Sequence, residues 1–549
     1  MSTRSDSPFP NQPPPYADRN LYADDVALQE ALAREGGAWA DSAVHEWGAV
    51  LGAAATLALA DAANRHPPEW AAYDPRGERI DAIAFHPAWH ELMRLATAEG
   101  IHCLPWSDPC AGAQVARGAR VHLHAQVENG TQCPLTMTYA SVPVLRQAAA
   151  ALPQLEHDWL PRVLTRDYDP RDLPVADKRA ALIGMGMTER QGGSDVRSNR
   201  TRATPDPGGG VRLVGHKWFF SAPQCDAHLV LAQEEAGLSC FLLPRLLPDG
   251  TRNAVRINRL KDKLGNRSNA SAEVEFDEAH AFPVGDPGRG IATILDMVQH
   301  TRLDCALATA GMMRSAVARA IHHARHRTAF GRALVSQPLM TEVLADLILE
   351  SEAATALAMR VARAYDAPGG HTDRALARIL TPAAKYWICK RGPALAAEAM
   401  EALGGNGYVE ESGLPRLYRE MPVNSIWEGS GNVIALDVAR AARHEPAAVA
   451  ALGALLDEAR GANPTYDAFA STLMEEMASL ADVTNAARRM AQAIATASAA
   501  SILIRHAPAS VADAFCATRF APSVFGGGAF GALPLRSGAA LIVDRALPE

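Results

Sequence analysis

The sequence predicts a multidomain α+β protein: a helical region, then a β domain, then two further helical segments. Three observations lead there. The chain has 549 residues, whereas a single hydrophobic core stops growing near ~250–300 residues. Alanine- and leucine-rich stretches with helical spacing lie on both sides of a window of short strand-like runs. Those runs are gathered in one place instead of alternating with helices, which excludes a doubly wound parallel sheet.

Taken in order, residues 1–20 are polar and proline-rich and should form an extended arm. Residues 21–180 read as helical, with few β-branched residues. Pro87-Ala-Trp-His-Glu-Leu-Met-Arg-Leu95 places proline in a first turn, followed by apolar residues at helical spacing. Residues 181–287 read as a β domain, with runs at Val211–Ser221 and Ala227–Ala232. Ala272-Glu-Val-Glu-Phe276 alternates with the period of a half-exposed strand. Helical spacing returns over 288–445, where Val343, Leu347, Ile348, Leu357 and Val361 share one side of a long helix. Residues 446–549 form an additional alanine-rich helical domain with an irregular Ser523–Gly531 stretch.

Hydrophobic residues make up 48% and charged residues 21% of the chain, ordinary globular values. The formal charge of −8 excludes bulk attraction to nucleic acid, so a polyanion would need a local basic patch. Two such patches exist, 245–267 and 305–341, each with a net charge of +5. They suit phosphate groups on a cofactor or on nucleic acid, or are solvated helix faces. The eight cysteines show no CxxC and no regular framework, which reads as reduced thiols in the cytoplasm. The N-terminus lacks the apolar segment of a signal peptide, and the alanine-rich Gly48–Ala60 is too short to span a bilayer. No membrane association and no metal site are expected, since His122-Leu-His124 and His322-His323 lack partners at ligand spacing.

Four motifs carry chemistry. Gly184-Met-Gly-Met-Thr-Glu-Arg-Gln-Gly-Gly-Ser-Asp195 is neither a dinucleotide fingerprint nor a P-loop. It is a glycine-rich domain entry, or a loop offering the Thr188 and Ser194 hydroxyls to a closely approaching ligand. Lys217-Trp-Phe-Phe-Ser221 is barrel core, or an aromatic wall against a flat conjugated ligand. Asn424-Ser-Ile-Trp-Glu-Gly-Ser-Gly-Asn432 sets the carboxylate of Glu428 between large apolar residues and a glycine turn. That is a surface turn, or a general base exposed to substrate. Arg325-His-Arg-Thr-Ala-Phe-Gly-Arg332 lies within the second basic patch.

The order of these motifs is more specific than any of them alone. Met-Thr-Glu with Gly-Ser-Asp, Trp-Phe-x-Ser, Arg-x-x-Phe-Gly with Gln337 beyond it, Leu403-Gly-Gly-Asn-Gly-Tyr408 and Trp-Glu-Gly-Ser together resemble the acyl-CoA dehydrogenases. The stretches GMGMTERQGGSDV, LVGHKWFFSAPQCDAHLVLAQ, RLKDKLGNRSNAS and RLYREMPVNSIWEGSGN, with Phe85-His-Pro-Ala-Trp-His90, are closest to the AidB-like alkylation-response branch of that isovaleryl-CoA dehydrogenase-like superfamily.

The resemblance implies an N-terminal α domain, a central β-barrel, a C-terminal four-helix bundle and an extra helical domain. It implies FAD as cofactor and α,β-dehydrogenation of a short or branched acyl-CoA. Met187, Thr188, Gly193 and Ser194 would meet the flavin and its ribityl-phosphate side, with Trp218 flanking the ring and Phe219 and Ser221 completing that wall. Arg327, Phe330 and Gln337 would reach the FAD of a neighbouring subunit, which implies a homotetramer. Gly404 and Gly405 would line the cofactor channel, and Ile426, Trp427, Gly429, Ser430, Gly431 and Asn432 would close over the flavin. Glu428 falls on the family's catalytic base; the alternative position, before Arg302, is Thr301 here and cannot serve. The branch is also associated with double-stranded DNA and the response to DNA alkylation. Residues 441–549, however, hold eight arginines against ten acids, so Arg440, Arg443 and Arg519 are the expected phosphate contacts. The alternative implied by that association is a flavin-stabilised DNA-binding protective protein with only residual dehydrogenase activity.

Overall fold

The computed structural model describes residues 10–366, 370–479, 483–520, 528–532 and 538–548. The first nine residues of the expected arm and most of Ser523–Gly531 lie outside the described residues. The chain forms two compact units. One comprises Ala55–Pro109 and Glu128–Asp304, the other Met1–Ala54, Cys110–Val127 and Cys305–Glu549. The linear segment 21–180 therefore contributes to both.

The first unit is built on nine strands: β1 (Glu69–Tyr73), β2 (Arg79–Ala84), β3 (Ile183–Gly186), β4 (Arg202–Pro205), β5 (Val211–Ser221), β6 (Ala227–Glu234), β7 (Gly237–Pro244), β8 (Val255–Leu260) and β9 (Ser271–Val284). Strands β6, β4, β5, β9 and β7 pair in that order, and β7 pairs back onto β6, closing a five-stranded barrel. Closure removes exposed edges. The barrel is filled by Leu213, Phe220, Val230, Phe241, Val274 and Phe276. The apolar half of the alternation in Ala272–Phe276 is as expected, with Ala272, Val274 and Phe276 in the core; Glu275 is exposed, but Glu273 is buried and paired with Arg259 and Lys261.

The β1–β2 hairpin falls in a segment read as helical. It turns at Asp74-Pro-Arg-Gly77, where Asp74 Oδ1 accepts from the Arg76 and Glu78 amides and Gly77 takes φ +84°. Trp70 and Ile83 pack against the barrel core, and Arg79 donates to the Ile257 carbonyl at 2.5 Å. The helix Pro87–Ala98 begins at the expected proline.

Among its described residues, the second unit is helical apart from the two-residue strands β10 (Thr328–Ala329) and β11 (Arg332–Ala333). Every residue of the helix Ala113–Ala125 is buried. Pro338–Arg363 is the helix expected from the 343–361 spacing, with Leu347, Ile348, Leu357 and Val361 buried. His371–Ala402 follows it, and then two shorter helices, Leu414–Asn424 and Gly431–His444, interrupted where the Trp-Glu-Gly-Ser motif lies.

Within the same unit, Asn11 bonds to the amide and carbonyl of Thr328, Pro14 accepts from His322, and Tyr16 lies beneath Arg319. The later helices are pinned by ion pairs from Arg519 to Asp346 and Glu350, and from Arg545 to Glu30 and Glu352. No single helix among the described residues is long and apolar enough to cross a membrane.

Candidate active site

The barrel unit brings together the glycine-rich motif and the aromatic run. The amide of Trp218 donates to the Thr188 carbonyl at 2.8 Å, which ties the loop after β3 to β5. Glu189 anchors that loop from inside. Its carboxylate accepts from Lys217 Nζ at 2.9 Å, from Thr201 Oγ1 at 2.6 Å and from the Arg200 amide at 2.6 Å, and both Glu189 and Lys217 are fully buried. Burial pushes the Glu189 carboxyl up, but the Lys217 charge and the hydrogen bonds outweigh it and hold the group at about 2. Gly193 is required by packing, because a Cβ there would fall 2.4 Å from Thr188 Oγ1. Met187 and Thr188 are half-buried and Ser194 is exposed.

A register shift in β5 between Lys217 and Phe220 sorts the three aromatics. Phe220 enters the core, Phe219 is 52% exposed, and Trp218 lies between. Lys261 Nζ sits 3.6 Å from the Trp218 ring centroid, with Arg190 5.0 Å away. Cations therefore lie against the Trp218 ring, and Phe219 is the more exposed of the two. The hydroxyls of Thr188, Ser194 and Ser221 make no hydrogen bond among the described residues. Three uncommitted hydroxyls beside an exposed aromatic ring fit a flavin.

The helical unit carries the remaining positions. The β10–β11 hairpin turns at Phe330 and Gly331, with φ of +51° and +76°, and Phe330 is 98% exposed. Gln337 Nε2 donates to the Ala329 carbonyl and Arg327 donates to the Asn11 carbonyl, so both brace the hairpin that presents Phe330. Gly404 and Gly405 are exposed, and a Cβ at either would meet nothing within 4 Å.

The segment 425–430 joins the helices Leu414–Asn424 and Gly431–His444. Glu428 lies here with φ +58°, a left-handed conformation that is costly for a non-glycine residue, and Gly429 follows at φ +102°. Lys385, buried in the helix His371–Ala402, donates at 2.6 Å to the carbonyls of Trp427 and of Gly429. Asn424 Nδ2 donates to Thr309 Oγ1 at 2.9 Å and fixes the start of the turn. Ile426 is 64% exposed, and the buried Trp427 Nε1 is without a hydrogen-bond partner among the described residues. Ser430 precedes the helix that Gly431 opens, and Asn432 Oδ1 accepts from Arg488 at 2.7 Å.

Lys385 and Lys261 were missed by sequence reasoning. A lone lysine in the apolar run Pro382-Ala-Ala-Lys-Tyr-Trp-Ile-Cys389 was the available signal for the first.

The expected phosphate contacts divide. Arg440 and Arg443 are exposed near the end of Gly431–His444. Arg519 is a correction: its guanidinium is buried against Asp346 at 2.6 Å and Glu350 at 2.9 Å and is spent on holding its own helix.

Three family models match in chain order: the adaptive response protein AidB N-terminal domain over residues 11–170, the acyl-CoA dehydrogenase middle domain over 184–279 and the acyl-CoA dehydrogenase C-terminal domain over 288–443. The chain is 50% identical over 507 residues to AidB of Escherichia coli (strain K12), covering 92% of this chain and 93% of that one. It belongs to the acyl-CoA dehydrogenase family. Among solved structures, this chain resembles the apo form of Bd2924 with a TM-score of 0.81 and 30% identity, over 91% of this chain and 100% of that one. It also resembles ACDH-11 of Caenorhabditis elegans, solved with C11-CoA, with a TM-score of 0.84 and 26% identity, over 100% of this chain and 94% of that one. The β-barrel and the helical C-terminal region are those of the family, and the chain is an AidB-like flavoprotein of the FAD-dependent oxidoreductase type.

Proposed function

We propose that the protein catalyses α,β-dehydrogenation of a short or branched acyl-CoA, with Glu428 as the base. The observation that carries this reading is the clamped, left-handed backbone at Glu428. Strain at a non-glycine residue persists only where the surroundings hold it, and Lys385 holds the carbonyls on both sides.

FAD, when bound, supplies the hydride acceptor. The chain's own residues do the rest. The hydroxyls of Thr188, Ser194 and Ser221 would donate to the cofactor and Trp218 and Phe219 would flank its ring, while Glu189 with Lys217 keeps the supporting loop in register. Glu428 Oε removes the proton α to the thioester carbonyl, a step for which a positioned base contributes typically ~10²–10⁴-fold. That the C. elegans relative was solved with C11-CoA supports an acyl-CoA as substrate. The fully exposed Phe330 supports a homotetramer in which the β10–β11 hairpin meets a second subunit. Seven of the eight cysteines are buried free thiols, which agrees with a reducing compartment such as the cytoplasm.

Anaerobic titration of the purified yellow protein with a panel of CoA thioesters is the direct test. Flavin bleaching in the wild type and its loss in Glu428→Gln, with FAD content unchanged, are the expected results. Absence of bleaching with every acyl chain would end the dehydrogenase reading.

A second reading, binding of double-stranded DNA in the alkylation response, is favoured by the exposure of Arg440 and Arg443. It requires affinity to fall with salt at a log–log slope near ~−0.9 per phosphate neutralised. Indifference to salt, or no binding at low ionic strength, would exclude it.

A further inference from the structure

In the barrel unit, three buried carboxamides on neighbouring segments have nothing to bond. Gln132, Gln224 and Asn269 each have both polar side-chain atoms buried and without a hydrogen-bond partner among the described residues. Gln132 is 5% and Asn269 1% exposed.

The backbone brings them to one place. Gly130 presses so closely on the 268–269 segment that a Cβ there would lie 3.0 Å from the Asn269 amide. The Ala222 amide donates to the Ala270 carbonyl at 2.9 Å, which sets Gln224 and Asn269 at the same end of the β5–β9 pair. Burial, then the nearby Asp226 and Cys133, push the Cys225 thiol up, so the segments that carry Gln224 and Gln132 run near each other. Ser221, in the proposed flavin wall, faces Ser271 at that end of the pair.

Charges beside the cluster are already met. The Glu128 carboxylate accepts from the amides of Gly130 and Thr131 and from the hydroxyls of Thr131 and Ser268. Lys263 Nζ donates to the Asn269 carbonyl at 2.6 Å and to Ser271 Oγ, and Lys178 is paired with Asp226. What remains is uncharged, with both donors and acceptors. Plain hydrocarbon placed here would leave all three amides unpaired, a cost that each buried polar group exacts separately. A hydroxyl could donate to one amide oxygen and accept from an NH2 group, and a carbonyl could accept from one or two of the NH2 groups.

We propose that Gln132, Gln224 and Asn269 form a specificity subsite for a neutral oxygen-bearing group, a hydroxyl or carbonyl, on the acyl chain of the substrate. The proposal rests on the acyl-CoA dehydrogenase reading above and narrows its substrate class.

The test compares dissociation constants of the FAD-loaded wild type for valeryl-CoA, 3-hydroxyvaleryl-CoA and 4-hydroxyvaleryl-CoA, by calorimetry and by perturbation of the flavin spectrum. At least one hydroxylated ester should bind about tenfold tighter or more, because a site built around hydrogen bonds discriminates against the analogue that lacks them. Gln132→Leu and Asn269→Leu should each shrink that ratio, and the double variant should reverse it with flavin content unchanged. Equal or tighter binding of valeryl-CoA by the wild type overturns the subsite, as does a ratio unmoved by the substitutions; either result means that the amides hold only water. Should the variants fail to fold, ligand-induced thermal shifts of the wild type decide, and a larger shift with valeryl-CoA overturns the subsite. Binding of none of the three esters would instead refute the acyl-CoA reading itself.

Discussion

Lys385 grips the peptide backbone on both sides of Glu428, donating at 2.6 Å to the carbonyl oxygens of Trp427 and Gly429. A buried lysine thereby holds a carboxylate-bearing residue in the left-handed region at φ +58°. Replacement by Met preserves length and burial but leaves two carbonyls without that donor, at about 1–3 kcal/mol each. Lys385→Met should speed hydrogen exchange at residues 426–430 and slow flavin reduction by thioester more than it weakens thioester binding. Unchanged exchange in this segment would show that Lys385 does not hold it.

The Glu189–Lys217 pair sets the acid sensitivity of the barrel. Glu189 in the folded chain titrates at about 2, below the ~4.3 of an unperturbed glutamate. On acidification the unfolded chain therefore takes up the proton first. The stability contributed by Glu189 is complete above about pH 4.3 and is lost as pH falls toward the folded value. Urea midpoints measured from pH 5.5 to 3 should fall more steeply in the wild type than in Glu189→Gln. The variant should be less stable at pH 7 by roughly 3–5 kcal/mol, because Lys217 loses its buried counter-ion. Parallel profiles would contradict the assignment.

Phe330 is 98% exposed at the tip of its hairpin. Phe330→Ser should change the stability of the isolated subunit by no more than about 0.5 kcal/mol, as surface substitutions do. It should instead shift the sedimentation distribution toward smaller species. A distribution identical to that of the wild type would remove this residue from the subunit contact.

Arg519 is committed to Asp346 and Glu350. Arg519→Met should lower thermal stability, since breaking a buried pair from one side costs roughly 3–5 kcal/mol. Any duplex affinity should stay the same at a given salt concentration, whereas Arg440→Ala with Arg443→Ala should reduce the salt slope. A large loss of duplex binding in folded Arg519→Met would restore that arginine as a contact.

The helical–β–helical order was legible because its signals are local: proline opening Pro87–Ala98, apolar spacing in Pro338–Arg363, alternation in Ala272–Phe276. The β1–β2 hairpin was missed because Trp70 and Ile83 gain their burial from the barrel, a contact that no local pattern encodes. The same reason hid the different exposures of Trp218 and Phe219. Adjacent aromatics cannot be sorted without knowing that a bulge intervenes and that Lys261, some forty positions later, covers one ring. Glu428 was legible as a residue but not as a conformation, since the lysine that imposes its φ lies on another helix. Arg519 was misread because net charge per segment says nothing about which acids a side chain meets after folding.

The ion pairs of Arg519 and Arg545 make the last hundred residues a poor candidate for removal by truncation. Cutting near residue 446 would strand Asp346 and Glu352 without the arginines that pair with them and leave Glu350 with Arg391 alone. A shortened protein that precipitates or loses its colour would report on those stranded acids. The contribution of the tail to any further activity is better sought by point substitution on its solvent-facing side.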